Sequence, residues 1–252
     1  MQQNFSLAGR LAIITGGGSG IGLAITRAFV QAGARVVITG RREEVLQSAR
    51  TELGENVICR SCDISDLAAI PNLIETVESC DGPIDILVNN AGITMKKPTV
   101  ETTDEEFGRI VQTNLMGLFS LSREVAARML PRQKGVILNI TSMTAIYGMP
   151  NIPAYTASKT GVQGLTRQLA VEFGPKGIRV NSLAPGFIFS EMTVKTLNSD
   201  PERKARVFAR TPMGRMGQPN EIGAAALFLC SDAASFVTGV DLPVDGGNSI
   251  GF

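Results

Sequence analysis

Seven short runs rich in Val, Ile and Leu recur along the chain: "RLAIIT", "ARVVIT", "NVICRS", "IDILVNN", "GVILNIT", "IRVNSLA" and "GVDLPVD". Between them lie amphipathic stretches at about 20–32, 42–53, 66–80, 104–130, 153–174 and 219–231. Parallel strands need long crossovers and helices supply them, so this alternation predicts an α/β fold. The runs are nearly continuous in apolar residues, as in strands covered on both faces. The expected architecture is a doubly wound parallel sheet of about seven strands with helices on both sides. No linker, repeat or charge block divides the 252 residues, so they read as a single domain. The segment 187–218 stands apart, being more charged and carrying Pro201 and Pro212. It reads either as a lid over a site at the strand ends or as a solvated pair of surface helices.

The formal net charge of +1 provides no broad positive field, which argues against nucleic acid or an anionic membrane as partner. No apolar run of 18 residues occurs and "MQQNFSLAGR" lacks the features of a signal peptide, so a cytoplasmic protein is expected. Cys59 and Cys62 form a CxxC pair that suggests redox chemistry or half a zinc site. Cys80 and Cys230 are isolated, however, and the chain contains no histidine, so reduced thiols are the better reading and no metal is expected.

"IITGGGSGIGLAITRAF" passes from a strand through glycines into a helix. Glycines let backbone approach a ligand closely, and a helix N-terminus offers free N–H groups to a pyrophosphate. The spacing is not GxGxxG, because Ile21 occupies the third glycine position; it is TGxxxGxG, as Thr15, Gly16, Gly20 and Gly22. At the end of the next strand, "VVITGRREE" places Gly40, Arg41 and Arg42 where a carboxylate would hold the ribose of NAD. Arginine suits a 2′-phosphate, so NADP(H) is favoured and NAD(H) is the alternative. Glu43 and Glu44 could instead pair with these arginines.

Without histidine, acid–base chemistry near neutral pH needs another carrier. In "AYTASKTGV", Tyr155 and Lys159 are four residues apart and share one face of a helix. A neighbouring ammonium favours the phenolate and is expected to lower the tyrosine pKa. "ILNITSMTA" brings Ser142 to a strand end, where its hydroxyl can bind a carbonyl oxygen, although Thr141 is an equal candidate. "VNNAGI" places Asn89, Asn90 and Gly92 at another strand end, and Asn114 lies inside a helical stretch that it does not favour.

Together "TGGGSGIG", "NNAG", Asn114, Ser142, "YTASK" and Pro185-Gly186 after "NSLA" resemble the classical short-chain dehydrogenase/reductase family over essentially the full chain. The resemblance implies a Rossmann-type fold, a nicotinamide cofactor and a catalytic tetrad of Asn114, Ser142, Tyr155 and Lys159. Tyr155 would exchange the proton, Ser142 would position the reacting oxygen, Lys159 would lower the tyrosine pKa and hold the ribose, and Asn114 would act through its backbone. The implied cofactor contacts are Gly16, Ser19, Gly20, Ile21 and Gly22 in the turn; Arg41 and Arg42; Asp63 and Ile64; Asn90, Ala91 and Gly92; Tyr155 and Lys159; and Pro185, Gly186, Ile188 and Ser190. Relatives often carry threonine where this chain has Ser190.

The expected substrate is a small ketone or secondary alcohol, either a 3-oxoacyl thioester, which an acyl carrier could present, or a sugar or polyol of the gluconate type. Met95, Met143, Tyr147, Met149, Phe187, Phe189 and Met192 suggest an apolar pocket, while Lys176 and Arg132 could meet an acidic carrier. The C-terminal segment resembles one that packs in a homotetramer. The reading from another class is a noncatalytic dinucleotide sensor, which would be expected to have lost Tyr155 or Lys159.

Overall fold

The computed structural model describes residues 2–251, excluding the side chains of Gln2, Gln3, Glu191, Met192 and Thr196. Seven strands run as β1 (Leu11–Thr15), β2 (Arg35–Gly40), β3 (Val57–Ser61), β4 (Ile86–Asn89), β5 (Gly135–Ile140), β6 (Ile178–Pro185) and β7 (Asp241–Val244). They form one sheet in the order β3-β2-β1-β4-β5-β6-β7, and every pairing is parallel. The expected doubly wound sheet is therefore present.

Strand side chains alternate between two faces. Ala12, Ile14, Val36, Ile38, Val88 and Leu138 face one apolar layer, closed by α1 (Gly20–Gln31), α2 (Glu43–Leu53) and α9 (Pro219–Cys230) through Ile25, Phe29, Leu46 and Leu229. Ile13, Val37, Leu87, Ile137 and Val180 face the other. That layer is covered by α3 (Ile70–Cys80), α5 (Leu118–Met129) and α6 (Pro153–Phe173) through Ile74, Val77, Leu121, Val125 and Leu169. Removing such a side chain from water is worth ~1.5–3 kcal/mol, so the two layers together fix the strand register.

Strand order reverses between β1 and β4, so the chains leaving these two strands diverge and open a crevice at the carboxyl edge of the sheet. Two helices differ from the sequence expectation. The helix expected over 66–80 begins only at Ile70, because Asp63 and Asp66 hold tight turns: Asp63 Oδ1 accepts from Ser65 N at 2.9 Å and Asp66 Oδ1 from Ala68 N at 3.1 Å. The helix expected over 104–130 is α4 (Asp104–Val111) and α5, joined by a π-helical turn at Gln112–Gly117 that contains Asn114. The segment after β6 contains two short helices, α7 (Glu191–Asn198) and α8 (Pro201–Ala209).

Candidate active site

β1 ends at Thr15 and the chain reverses through Gly16, whose φ of 66° is in the region that favours glycine. Thr15 Oγ1 accepts from Asn90 N at 3.0 Å and Ala91 N at 2.9 Å, while Asn90 Nδ2 donates to Thr15 O at 2.9 Å. The glycine turn and the "NNAG" turn are thereby stitched together. A Cβ on Gly22 would lie 2.1 Å from Gly16 O and 2.6 Å from Asn90 Nδ2, so α1 packs on the turn with no space for any side chain. Replacing Gly22 with Ala is expected to destabilise the fold by ~1–3 kcal/mol, the range for overpacking, and to weaken nucleotide binding. Urea denaturation and a nucleotide titration test it; parental values in both would show that the turn tolerates the methyl group.

The crevice has a volume of about 260 Å³. It is lined by Gly16, Ser19, Ile21 and Gly22 from the turn, by Arg41 and Arg42 after β2, by Asp63 and Ile64 after β3, and by Asn90, Ala91 and Gly92 after β4. Gly20 is not on the lining; it begins α1 with φ of 53°. The Arg41 guanidinium is 4.0 Å from Asp63 Oδ2 with a side chain 68% exposed, so it pairs across the crevice rather than with Glu43 or Glu44. Glu43 instead accepts from Gln47 Nε2 at 2.8 Å. Burial alone would raise the Asp63 carboxyl, but the Ser65 amide and hydroxyl and the Arg41 charge together hold it below its ordinary value. Sequence reasoning missed Thr39, which lines the same crevice and whose buried Oγ1 has no partner among the described residues.

Pro185, Gly186, Ile188 and Ser190 lie off this crevice, at the root of α7. Gly186 N donates to Val244 O at 3.0 Å, and a Cβ there would meet Asp245 Cα at 2.5 Å. Ile188 is buried and bridges Gly217, and Ser190 Oγ caps α7 by accepting from Thr193 N at 3.0 Å.

A second cluster lies where β5 ends. Lys159, only 4% exposed, donates from Nζ to Ile140 O at 2.7 Å, and the same ammonium is 5.7 Å from the centroid of the Tyr155 ring. Burial lowers the Lys159 pKa to about 8. Burial also raises the Tyr155 pKa, and the Ser142 hydroxyl facing the phenol pulls it only partly back. The acidified phenol expected from the sequence is therefore not what this arrangement produces: the ammonium is committed to a carbonyl, and desolvation of the phenolate dominates. Ser142 Oγ caps the short turn at Met143–Ala145. Thr141 is excluded from the same task, because its Oγ1 donates its one proton to Asp241 Oδ1 at 2.7 Å, with Leu183 O a further acceptor at 3.1 Å.

The Asn114 side chain is fully engaged. Its Oδ1 accepts from Ile93 N at 2.8 Å, and its Nδ2 donates to Ile93 O at 2.8 Å and to Ser158 Oγ at 3.1 Å. Ser158 Oγ in turn donates to Tyr155 O at 2.8 Å. A chain of bonds thus runs from the "NNAG" loop through the π turn to the helix carrying Tyr155 and Lys159. Sequence reasoning missed Ser158; its signal was a hydroxyl one residue before the lysine on the buried side of α6. Asn89, by contrast, braces the core, donating from Nδ2 to Ser122 Oγ at 3.0 Å and Asn139 Oδ1 at 2.9 Å.

The family described as Enoyl-(Acyl carrier protein) reductase matches residues 16–249. The chain belongs to the classical short-chain dehydrogenase/reductase family. It is 43% identical to galactitol 2-dehydrogenase (L-tagatose-forming) of Cereibacter sphaeroides, over 98% of this chain and 97% of that one. It is 39% identical to a 3-oxoacyl-[acyl-carrier-protein] reductase FabG of Rickettsia bellii, over 96% of this chain and 97% of the relative. Among solved structures, a gluconate 5-dehydrogenase from Burkholderia cenocepacia J2315 in complex with NADP and tartrate superposes with a TM-score of 0.93 at 37% identity, covering 100% of this chain and 99% of that one. This short-chain dehydrogenase/reductase is thus an oxidoreductase, and its relatives include 3-oxoacyl-[acyl-carrier-protein] reductases, sugar or polyol dehydrogenases and a 3alpha-hydroxysteroid dehydrogenase.

In this short-chain dehydrogenase/reductase the residues expected to form one apolar pocket are divided. A cleft of about 420 Å³ beside the β5–α6 loop is lined by Tyr147, Met149 and Phe187, but also by Lys96, Arg203, Arg206 and Arg210. Met95, Met143 and Phe189 do not line it, and the Met192 side chain lies outside the described residues. Arg132 and Lys176 precede β5 and β6, at the opposite end of the sheet from Ser142. Arg132 is also engaged there, 3.7 Å from Asp85 and donating to Ile84 O, so a carrier meeting these two cations would sit far from the phenol.

Proposed function

We propose that the protein transfers a hydride between NADP(H) and a small ketone or secondary alcohol, with Tyr155 as the acid or base. The observation that supports this most is the group of half-buried Tyr155 and Ser142 with buried Lys159, tied by Asn114 to a crevice bearing Arg41. The crevice fits a dinucleotide: a glycine turn opens a 12-residue helix, and an arginine stands after β2. Gly16, Ser19, Ile21 and Gly22 would take the pyrophosphate, Arg41 and Arg42 the 2′-phosphate, Asp63 and Ile64 the adenine, and Pro185, Gly186, Ile188 and Ser190 the nicotinamide side.

When bound, the nicotinamide supplies the hydride. Ser142 Oγ orients the substrate oxygen, and the Tyr155 hydroxyl donates its proton to that oxygen in reduction or accepts it back in oxidation. Lys159, cationic below its pKa of about 8, offsets the negative charge left on the phenol. Asn114 and Ser158 fix the spacing of the two turns. A noncatalytic sensor would have no use for this assembly.

Two substrate readings follow from the site's walls. Tyr147, Met149 and Phe187 suit an acyl chain, whereas the cations opposite suit a polyhydroxylated substrate. A panel of acyl thioesters, keto sugars and cyclic ketones, with NADPH oxidation followed spectrophotometrically, decides between them; no turnover of any ketone would reject the reaction. α7 and α8 are proposed as a lid over this cleft. The protein is further proposed to be cytoplasmic and homotetrameric. No described helix is long and apolar enough to cross a membrane, and exposed Phe107, Met116 and Phe119 near the α4–α5 junction, with Val171 on α6, give an apolar face for assembly. Arg41→Ala is expected to weaken NADPH binding about tenfold or more while NADH affinity changes little. Fluorescence titration of both nucleotides measures it, and a parallel loss would remove the phosphate role.

A further inference from the structure

We infer that the cleft between α8 and the β5–α6 loop is a subsite for a compact oxyanion, carboxylate or phosphate, carried by the substrate away from its reacting carbon. This rests on the oxidoreductase reading above and adds a substrate class to it. Arg203, Arg206 and Val207 on α8 and Arg210 at its C-cap follow at i, i+3, i+4 and i+7, so they lie along one side of the helix, and all four line the cleft. Lys96 comes to the same space from the loop after β4. Asp200 is the single acidic residue on the lining, and its Oδ1 accepts from Arg203 N at 2.9 Å.

The cations are not equally committed. Arg206 is 3.6 Å from Glu202. Arg210 is oriented in advance: its guanidinium lies 4.2 Å from the Tyr147 ring centroid and its Nε donates to Asn248 O at 2.8 Å. Tyr147 itself donates to Asn248 Oδ1 at 2.5 Å, which holds the stacked pair in place. The Arg203 guanidinium and the Lys96 ammonium have no partner among the described residues. A solvated helix face mixes signs and points outward. Arg203 and Arg210 here are half-buried and line a cleft whose other wall, Tyr147, Met149, Ile152 and Phe187, suits a carbon skeleton. The cleft's 420 Å³ lies within the ~300–1,000 Å³ of small-molecule pockets. One wall of the cleft, Tyr147 to Ile152, belongs to the loop that joins Ser142 to the helix bearing Tyr155.

Calorimetric titration of the protein with saturating NADP⁺, using D-gluconate, galactitol and inorganic phosphate as probes, tests the subsite. The parent is expected to prefer gluconate to galactitol. Arg203→Gln is expected to reduce that ratio about tenfold, and Arg203→Lys to restore part of it, as for a charge-assisted bond. Phosphate displacing gluconate supports the shared oxyanion chemistry, and tighter binding of phosphate identifies it as the source. No preference for either anion over galactitol in the parent, or a ratio unchanged in Arg203→Gln, overturns the inference. A Tyr155→Phe variant that turned over ketones at the parental rate while keeping the anion preference would reject the reaction reading and leave the subsite standing.

Discussion

Tyr155→Phe is expected to lower kcat by about 10²–10⁴, the contribution of a positioned general acid, while nucleotide affinity stays within a few-fold of the parent. The substitution removes one oxygen from a half-buried ring and leaves untouched the backbone bond from Ser158 Oγ to Tyr155 O at 2.8 Å. Fold and crevice should therefore persist. Steady-state rates on any accepted ketone, with a nucleotide titration alongside, provide the readout. Parental turnover would assign the proton to another group, and loss of both turnover and nucleotide binding would indicate collapse of the site.

Lys159→Met is expected to separate stability from activity. Burial lowers the lysine from its ordinary 10.5 to about 8. Between pH 8 and 10.5 the unfolded chain holds a proton that the folded chain has released, so stability rises with pH across that window. Below pH 8 the whole penalty of a buried ammonium is present. Methionine removes it, at the expense of the bond to Ile140 O, and the variant should gain about 1–3 kcal/mol at pH 7 and little or nothing above pH 10.5. Its kcat should fall by about 10² or more, because the charge opposite the phenol is gone. Urea denaturation at pH 7 and at pH 10.5 checks the first part; a variant no more stable than the parent at pH 7 would mean the ammonium is well solvated.

These two residues also show what the sequence reveals and what it conceals. The pairing of Tyr155 with Lys159 on one helix face follows from a four-residue spacing, and the parallel sheet covered on both sides follows from nearly continuous apolar runs alternating with helices. The sense of the tyrosine shift does not follow, because it depends on how deeply the phenol is buried and on the carbonyl that engages Lys159. Asn114 was legible as a residue out of place in a helix, yet the π turn around it was not. That turn lets Gly117 come against the loop after β3, where a Cβ would meet Ile64 O at 2.4 Å, a contact between segments far apart in the chain. The glycine turn, the arginines after β2, Asp63 and Ile64, and the "NNAG" turn were legible as one crevice, since strand-end loops must converge at the switch point, whereas Thr39, Ile93 and Thr113 on the same lining were not. The basic stripe on α8 was not, because Arg203, Arg206 and Arg210 become a lining only when α8 folds back over the β5–α6 loop.

Asn248 joins Tyr147, Arg210 and Thr211, the last through Nδ2 at 2.8 Å. Thr141, adjacent to Ser142, is braced by Asp241, and Asp241 Oδ2 also accepts from Gln163 Nε2 at 3.0 Å. The β5–α6 loop is thus tethered at Thr141 and at Tyr147 to residues 100 and 101 positions further along the chain, so the geometry around Ser142 depends on how β7 and the segment after it are docked.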